Sequence, residues 1–207
     1  MFPADAKKKP VDTKEIIDRA IAAAALIVLS PLFVVTALAI KLDSAGPVFF
    51  RQERIGRFGV PFHIHKFRTM RNEKPKKNIS ASGDPRVTRV GRVLRKTKID
   101  ELAQLIDVAQ GSMSLVGPRP EVPEYVEQWP QDRKALILSV RPGITDPASI
   151  AYRNEADELA SAADPERYYT QVLIPKKTKM YADYVRSRSL LGDFRIILQT
   201  IATVVRG

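Results

Sequence analysis

The chain contains no cysteine, which excludes disulfides, thiolate catalysis and any zinc or iron–sulfur site built on thiolates. Only two histidines occur in 207 residues, too few for a His-rich metal cluster. P-loops, GxGxxG fingerprints, GxSxG nucleophile elbows and zinc-deaminase signatures are also missing, so the folds that depend on them find no support. Negative charge is scarce over one long stretch. Overall, 34 Lys and Arg stand against 23 Asp and Glu for a net +11. Between Arg51 and Lys98, fifteen basic and three acidic residues give +12, leaving the remainder close to neutral. Such a localised basic block suits a polyanionic partner: nucleic acid, an acidic membrane surface or phosphorylated small molecules.

Ala20 to Ile40 runs for 21 residues without a charge. As a straight helix it would reach about 31 Å, the thickness of a bilayer hydrocarbon core. Basic residues flank both ends, Lys7, Lys8, Lys9, Lys14 and Arg19 before it and Lys41, Arg51, Arg54 and Arg57 after it. The positive-inside rule therefore assigns both ends to the cytoplasmic side. Ser30-Pro31 stands mid-run, where proline removes a helical hydrogen bond and a serine hydroxyl can satisfy the freed backbone group. A re-entrant membrane hairpin over 16–42 is expected, entering and leaving on one face. A proline-kinked single span is the commoner solution, and the charge symmetry argues against it. A signal peptide cleaved after Thr36-Ala37-Leu38-Ala39 would need a shorter apolar stretch.

The expected fold is mixed α/β and mainly helical, with a small β-hairpin and amphipathic surface helices. A tail over 1–15 precedes the membrane hairpin, and a cytosolic domain over 43–207, lying on the membrane, follows it. Val48-Phe49-Phe50 reads as a short strand and Phe62 to Phe67 as its partner, while Met70 to Asp84 reads as a mobile loop. Val87 to Arg95 has helical spacing. A second helix is expected from a Thr97 cap to Gly111, and two more over Pro175–Arg188 and Ser189–Arg206.

Chemistry concentrates in Asp100-Glu101, adjacent carboxylates in a basic region. Successive helical residues diverge by about 100°, so the two would take different tasks, one as nucleophile or metal ligand and its neighbour as an orienting group. Acidic residues in a first helical turn also serve simply as caps. Arg92, Arg95, Lys96, Arg119 and Arg141 are candidates to close around a phosphate, since guanidinium forks match its oxygens. Pro118 and Pro120 hold Arg119 in a rigid frame. His63 and His65 share a strand face, which permits two-point metal ligation but reads better as a polar face.

Several blocks, in order, resemble the bacterial sugar transferases, the small monotopic phosphoglycosyl transferases. They are Ser30-Pro31, Gly46-Pro47-Val48-Phe49-Phe50-Arg51-Gln52, Lys66-Phe67-Arg68-Thr69-Met70, Asp84-Pro85-Arg86-Val87-Thr88, Leu94-Arg95-Lys96-Thr97, Asp100-Glu101-Leu102, Met113-Ser114-Leu115-Val116-Gly117-Pro118-Arg119-Pro120 and Arg141-Pro142-Gly143-Ile144-Thr145. Ala103 stands where the family commonly has proline, and Ser112 where an acidic residue or asparagine is frequent. The resemblance implies attack by Asp100 on the sugar-bearing phosphate of a UDP-sugar, release of UMP, and resolution by polyprenol phosphate such as undecaprenyl phosphate. It further implies Mg²⁺ touched by Asp100, support from Glu101, Arg95 near phosphate, Pro118-Arg119-Pro120 at the nucleotide, and Arg141 as a further phosphate candidate. The implied location is the cytoplasmic face of the bacterial inner membrane, with phospholipids as partners and no nucleic acid. The sugar and the oligomeric state stay open.

Overall fold

The structure, a computed structural model, describes residues 12–71 and 84–205. Most of the loop expected over 70–84 therefore lies outside the described residues. So do residues 1–11 of the tail.

Helix α1 (Thr13–Val28) starts at Asp12, whose carboxylate accepts from the Lys14 amide. After Leu29, α2 (Ser30–Asp43) follows at a bend of 64°. Pro31 has no amide proton to offer the Ile27 carbonyl. The Ser30 hydroxyl donates to that carbonyl instead, at 2.8 Å, so the break leaves no orphaned acceptor. Among the described residues no single helix is long and apolar enough to cross a membrane, but this bent pair passes that test together. The arms are not free of the body. Ala22 packs with Ile64, Leu105, Val108 and Met113, and Ile40 with Phe67, Leu94 and Ala103. Outward, Ile21, Ile27, Val28, Val34, Val35, Leu38 and Leu42 are exposed.

The expected hairpin is present and longer than its first strand suggested: β1 (Phe49–Ile55) pairs antiparallel with β2 (Pro61–Phe67), from Phe49 opposite Phe67 to Ile55 opposite Pro61. Strand β2 lies between the two arm-packing clusters through Ile64 and Phe67. Helix α3 (Arg89–Lys96) is capped by Thr88, whose hydroxyl accepts from the Gly91 amide.

The helix expected from a Thr97 cap is a correction. Thr97 ends α3 rather than starting a helix, because its hydroxyl donates back to the Val93 carbonyl at 2.9 Å, a bond open to threonine in a last turn. Lys98 then takes a left-handed φ of 57°. A 3₁₀ turn over Ile99–Gln104 follows, then α4 (Leu105–Gln110), which Gly111 terminates at φ 89° as expected.

Strand β3 (Ser114–Val116) pairs in parallel with β4 (Gly143–Thr145). Between them lie α5 (Pro123–Glu127) and α6 (Gln131–Ile137). Backbone crossing is so close here that a Cβ on Gly143 would fall 2.0 Å from the Gly117 nitrogen. The segments around Gly117 and Gly143 are thus the ends of one small sheet. Short helices α7 (Pro147–Ala151), α8 (Glu155–Ser161) and α9 (Pro165–Tyr168) lead through a π-turn into α10 (Ile174–Ser187), and α11 (Leu190–Val205) closes the chain. The largest apolar cluster joins Tyr125, Trp129, Ile137, Leu173 and Tyr181.

Candidate active site

Three segments far apart in sequence meet at one group of charges. Strand β2 supplies Lys66, the 3₁₀ turn supplies Asp100 and Glu101, and the loop after β3 supplies Arg119. Lys66 Nζ stands 2.9 Å from Asp100 Oδ2 and 3.4 Å from Glu101 Oε1. Arg119 grips Glu101 with both terminal nitrogens, Nη2 to Oε1 at 2.7 Å and Nη1 to Oε2 at 3.3 Å.

Burial opposes ionisation of Glu101, yet the charges of Arg119 and Lys66 outweigh it and hold the carboxyl well below the usual glutamate range. Reciprocally, the Glu101 charge raises the Arg119 guanidinium well above its ordinary value, against the effect of burial. Glu101 is therefore a fixed anion whose lone pairs are committed.

Asp100 differs. It is 1% exposed, and its Oδ1 is buried with no hydrogen-bond partner. A carboxylate oxygen taken from water and given no donor costs on the order of 1–3 kcal/mol, a cost that a bound cation or electrophile at that atom would offset. No group of three metal-ligating side chains exists among the described residues. The donor set fits Mg²⁺ all the same, because that ion keeps several waters and typically takes one or two carboxylates plus substrate phosphate oxygens.

The other residues singled out from sequence fall at varying distances from this group. Pro118 is buried and its carbonyl accepts from the Gly143 amide at 3.0 Å, while the Pro120 carbonyl accepts from Arg54 Nη1 at 3.2 Å. Both prolines thus pin the loop that carries Arg119. Arg95 sits half-buried on α3, where its charge acts on Asp84. Arg141 forms its ion pair with Glu15 of α1, fastening the N-terminal helix to the β3–β4 sheet. Arg92 and Lys96 are exposed on α3. The structure therefore joins Asp100, Glu101 and Arg119 and leaves Arg95 and Arg141 in other settings.

Lys66 is a site residue that the sequence leaves without a task. A lysine at a strand end carries no signal of its own until the fold sets it against two carboxylates. His65 and Asp107 were likewise unassigned as a pair. Asp107, 1% exposed, accepts from the His65 amide at 2.8 Å and from His65 Nδ1 at 2.7 Å, and Arg51 reaches the other ring nitrogen. Burial raises the Asp107 carboxyl and the bonds from His65 oppose that. Both ring nitrogens of His65 are thus engaged within the fold. Behind Arg119, Glu121 accepts from Arg54 at 3.3 Å and from the Tyr169 hydroxyl at 2.6 Å, and Lys177 lies 4.0 Å away. Charged residues are thus stacked inward from the site, each with a partner.

A buried carboxylate with an open oxygen, flanked by fixed cations, suits attack on or neutralisation around a phosphorus centre. Comparison with known proteins places the chain in a family. Residues 9–207 match the family model of bacterial sugar transferases, and the chain belongs to that family. It is 38% identical over 189 residues to the UDP-N-acetylgalactosamine-undecaprenyl-phosphate N-acetylgalactosaminephosphotransferase of Aeromonas hydrophila, covering 88% of this chain and 41% of that protein. It is 38% identical over 196 residues to the UDP-glucose:undecaprenyl-phosphate glucose-1-phosphate transferase of Caulobacter vibrioides, covering 93% of this chain and 69% of that protein. The UDP-glucose:undecaprenyl-phosphate glucose-1-phosphate transferase of Escherichia coli is 38% identical over 189 residues, covering 89% of this chain and 38% of that protein. The chain thus spans about two fifths of the Aeromonas and Escherichia relatives.

Proposed function

We propose that the chain transfers a sugar 1-phosphate from a UDP-sugar to undecaprenyl phosphate or a similar polyprenol phosphate, releasing UMP. The observation that carries this is the unpartnered Oδ1 of buried Asp100 between Lys66 and the Arg119–Glu101 pair. Asp100 Oδ1 attacks the phosphorus that bears the sugar. The bond from that phosphorus to the UMP oxygen breaks, and UMP leaves with the electron pair. A phosphate oxygen of the polyprenol carrier then attacks the same phosphorus, which restores the Asp100 carboxylate and forms the diphosphate link. Lys66 orients Asp100 through Oδ2, so that Oδ1 faces the substrate. Arg119, held rigidly by Pro118, Pro120 and Glu101, binds diphosphate oxygens. Glu101 is held ionised, so it positions Arg119 and Lys66. Mg²⁺, held by Asp100 and substrate oxygens, would supply further charge neutralisation.

The hairpin of α1 and α2 accounts for the setting: a carrier phosphate at the cytoplasmic face of the inner membrane meets a cytosolic nucleotide sugar there. The bent, outwardly apolar pair and the symmetric flanking charges support that topology. The relatives' names differ in the sugar they carry, so the donor is identified by assay. UMP release from a panel of UDP-sugars by detergent-held protein, with Mg²⁺ and polyprenol phosphate, should require Asp100. Asp100→Asn is expected to lower turnover at least a thousandfold while membrane association persists, and undiminished release would remove Asp100 as nucleophile. The absence of native cysteine makes topology equally direct. Thr13→Cys and Val60→Cys should label from the same side of sealed vesicles, and labelling from opposite sides would replace the hairpin by a span.

A further inference from the structure

Helix α3 carries a stripe that the catalytic reading does not use. Arg89, Arg92, Val93 and Lys96 recur at the spacing of one helical face and are exposed, Val93 at 59%. Val90, Gly91 and Leu94 face the body, Leu94 with Ile40 and Phe67. The roll of the helix admits no alternative, since a Cβ on Gly91 would fall 2.0 Å from the Thr69 carbonyl oxygen. Among the described residues, none of Arg89, Arg92 and Lys96 forms an ion pair with a carboxylate.

Position adds the second observation. The Val90 amide donates to Asp43 Oδ2 at 3.0 Å, so α3 begins where α2 ends, and the last turns of α2 carry Leu38 and Leu42, which are 59% and 88% exposed. A cationic stripe with one exposed valine thus starts at the end of the apolar arm; among the described residues its side chains form no carboxylate ion pair, and Arg89 alone acts at longer range on Asp43. We infer that this face of α3 docks on the anionic phospholipid headgroups of the bilayer that holds the hairpin. Guanidinium and ammonium groups there meet lipid phosphates while the Val93 side chain enters the interface. The contact would set the roll of the catalytic body about the hairpin. It rests on the hairpin reading, and the test separates the two.

Full-length detergent-purified protein is diluted into vesicles of phosphatidylcholine alone or with three tenths phosphatidylglycerol, and partitioning is read by flotation. Association with neutral vesicles tests the hairpin. The extra association with anionic vesicles tests the stripe. A basic residue near an anionic surface gives roughly a fivefold gain, so R89Q/R92Q/K96Q is expected to lose between about tenfold and a hundredfold of the anionic increment. Its partitioning into neutral vesicles should be unchanged, which also shows that it folds. The single variant K96Q should lose about fivefold, and the wild-type increment should collapse at about 1 M salt, where screening shortens to about 3 Å. An anionic increment that survives in the triple variant overturns the inference and leaves the hairpin standing. Failure of wild type to enter neutral vesicles overturns the hairpin itself. Variant-sensitive binding to duplex DNA with no anionic-lipid increment would overturn it in favour of a nucleic-acid surface.

Discussion

Replacing Glu101 by Gln probes the charge arrangement beside Asp100 without changing shape. The Glu101 side chain is 14% exposed and that of Arg119 30%. Gln retains the Oε1 acceptor for Arg119 Nη2 and Lys66 Nζ but turns an NH₂ group toward Nη1, so one charge-assisted hydrogen bond and the ionic attraction to both cations are lost. Breaking a fully buried pair costs about 3–5 kcal/mol. Arg119 keeps some water, which reduces the expected loss to about 2–3 kcal/mol. In a chain of this size each kcal/mol moves the melting temperature by about 2–4 °C, giving a fall of roughly 5–10 °C. Trp129, buried in the main apolar cluster, reports unfolding by fluorescence in detergent micelles.

The pH dependence has a definite sign. Glu101 titrates well below its ordinary value of 4.5, so its contribution is complete above about 4.5 and is lost as pH falls through the lower folded value. The gap between wild type and E101Q should be constant near neutrality and should close on acidification. E101Q/R119M, which removes the abandoned cation too, should recover part of the loss. An E101Q protein that melts within about 2 °C of wild type at neutral pH would refute the reasoning.

Two further perturbations test the frame around the site. Gly91→Ala places a methyl 2.0 Å from the Thr69 carbonyl oxygen, backbone that cannot yield cheaply, and should destabilise by about 3 kcal/mol in a denaturant titration; a neutral outcome would mean that α3 does not pack so closely. Asp107→Ala strips the acceptor from both the His65 amide and Nδ1, with an expected cost of about 2–3 kcal/mol. Because His65 precedes Lys66 on β2, D107A should also raise hydrogen exchange over 99–110 and slow UMP release. Normal exchange there would confine Asp107 to a local role.

Much of the fold was visible in the sequence where the signal is local. Pro31 cannot donate and Ser30 can, so the break between α1 and α2 follows from two adjacent residues, whatever surrounds them. Alternation over 62–67 and the turn residues before it define the β1–β2 hairpin, and Gly111 marks the end of α4 by its left-handed φ. Thr97 misled because a hydroxyl caps a helix start and back-bonds at a helix end with equal chemistry. Only the Val93 carbonyl, brought up by α3 itself, decides between the two.

The candidate nucleophile and its neighbour, Asp100 and Glu101, were legible as adjacent carboxylates in a basic stretch, and Arg119 as an arginine between prolines. What those side chains touch was not. Lys66, Glu101 and Arg119 come from three separate segments, and their ion pairs exist only once β2, the 3₁₀ turn and the β3 loop are packed together. Arg141 is a candidate for phosphate by residue type, and its pairing with Glu15 comes only from the sheet at which Gly117 and Gly143 cross. Residue type and spacing along one element are properties of the chain itself. The pairing of charges across elements, and the Asp100 oxygen left open beside them, are set by long-range packing, because a charge takes whichever partner the fold brings within a few ångströms.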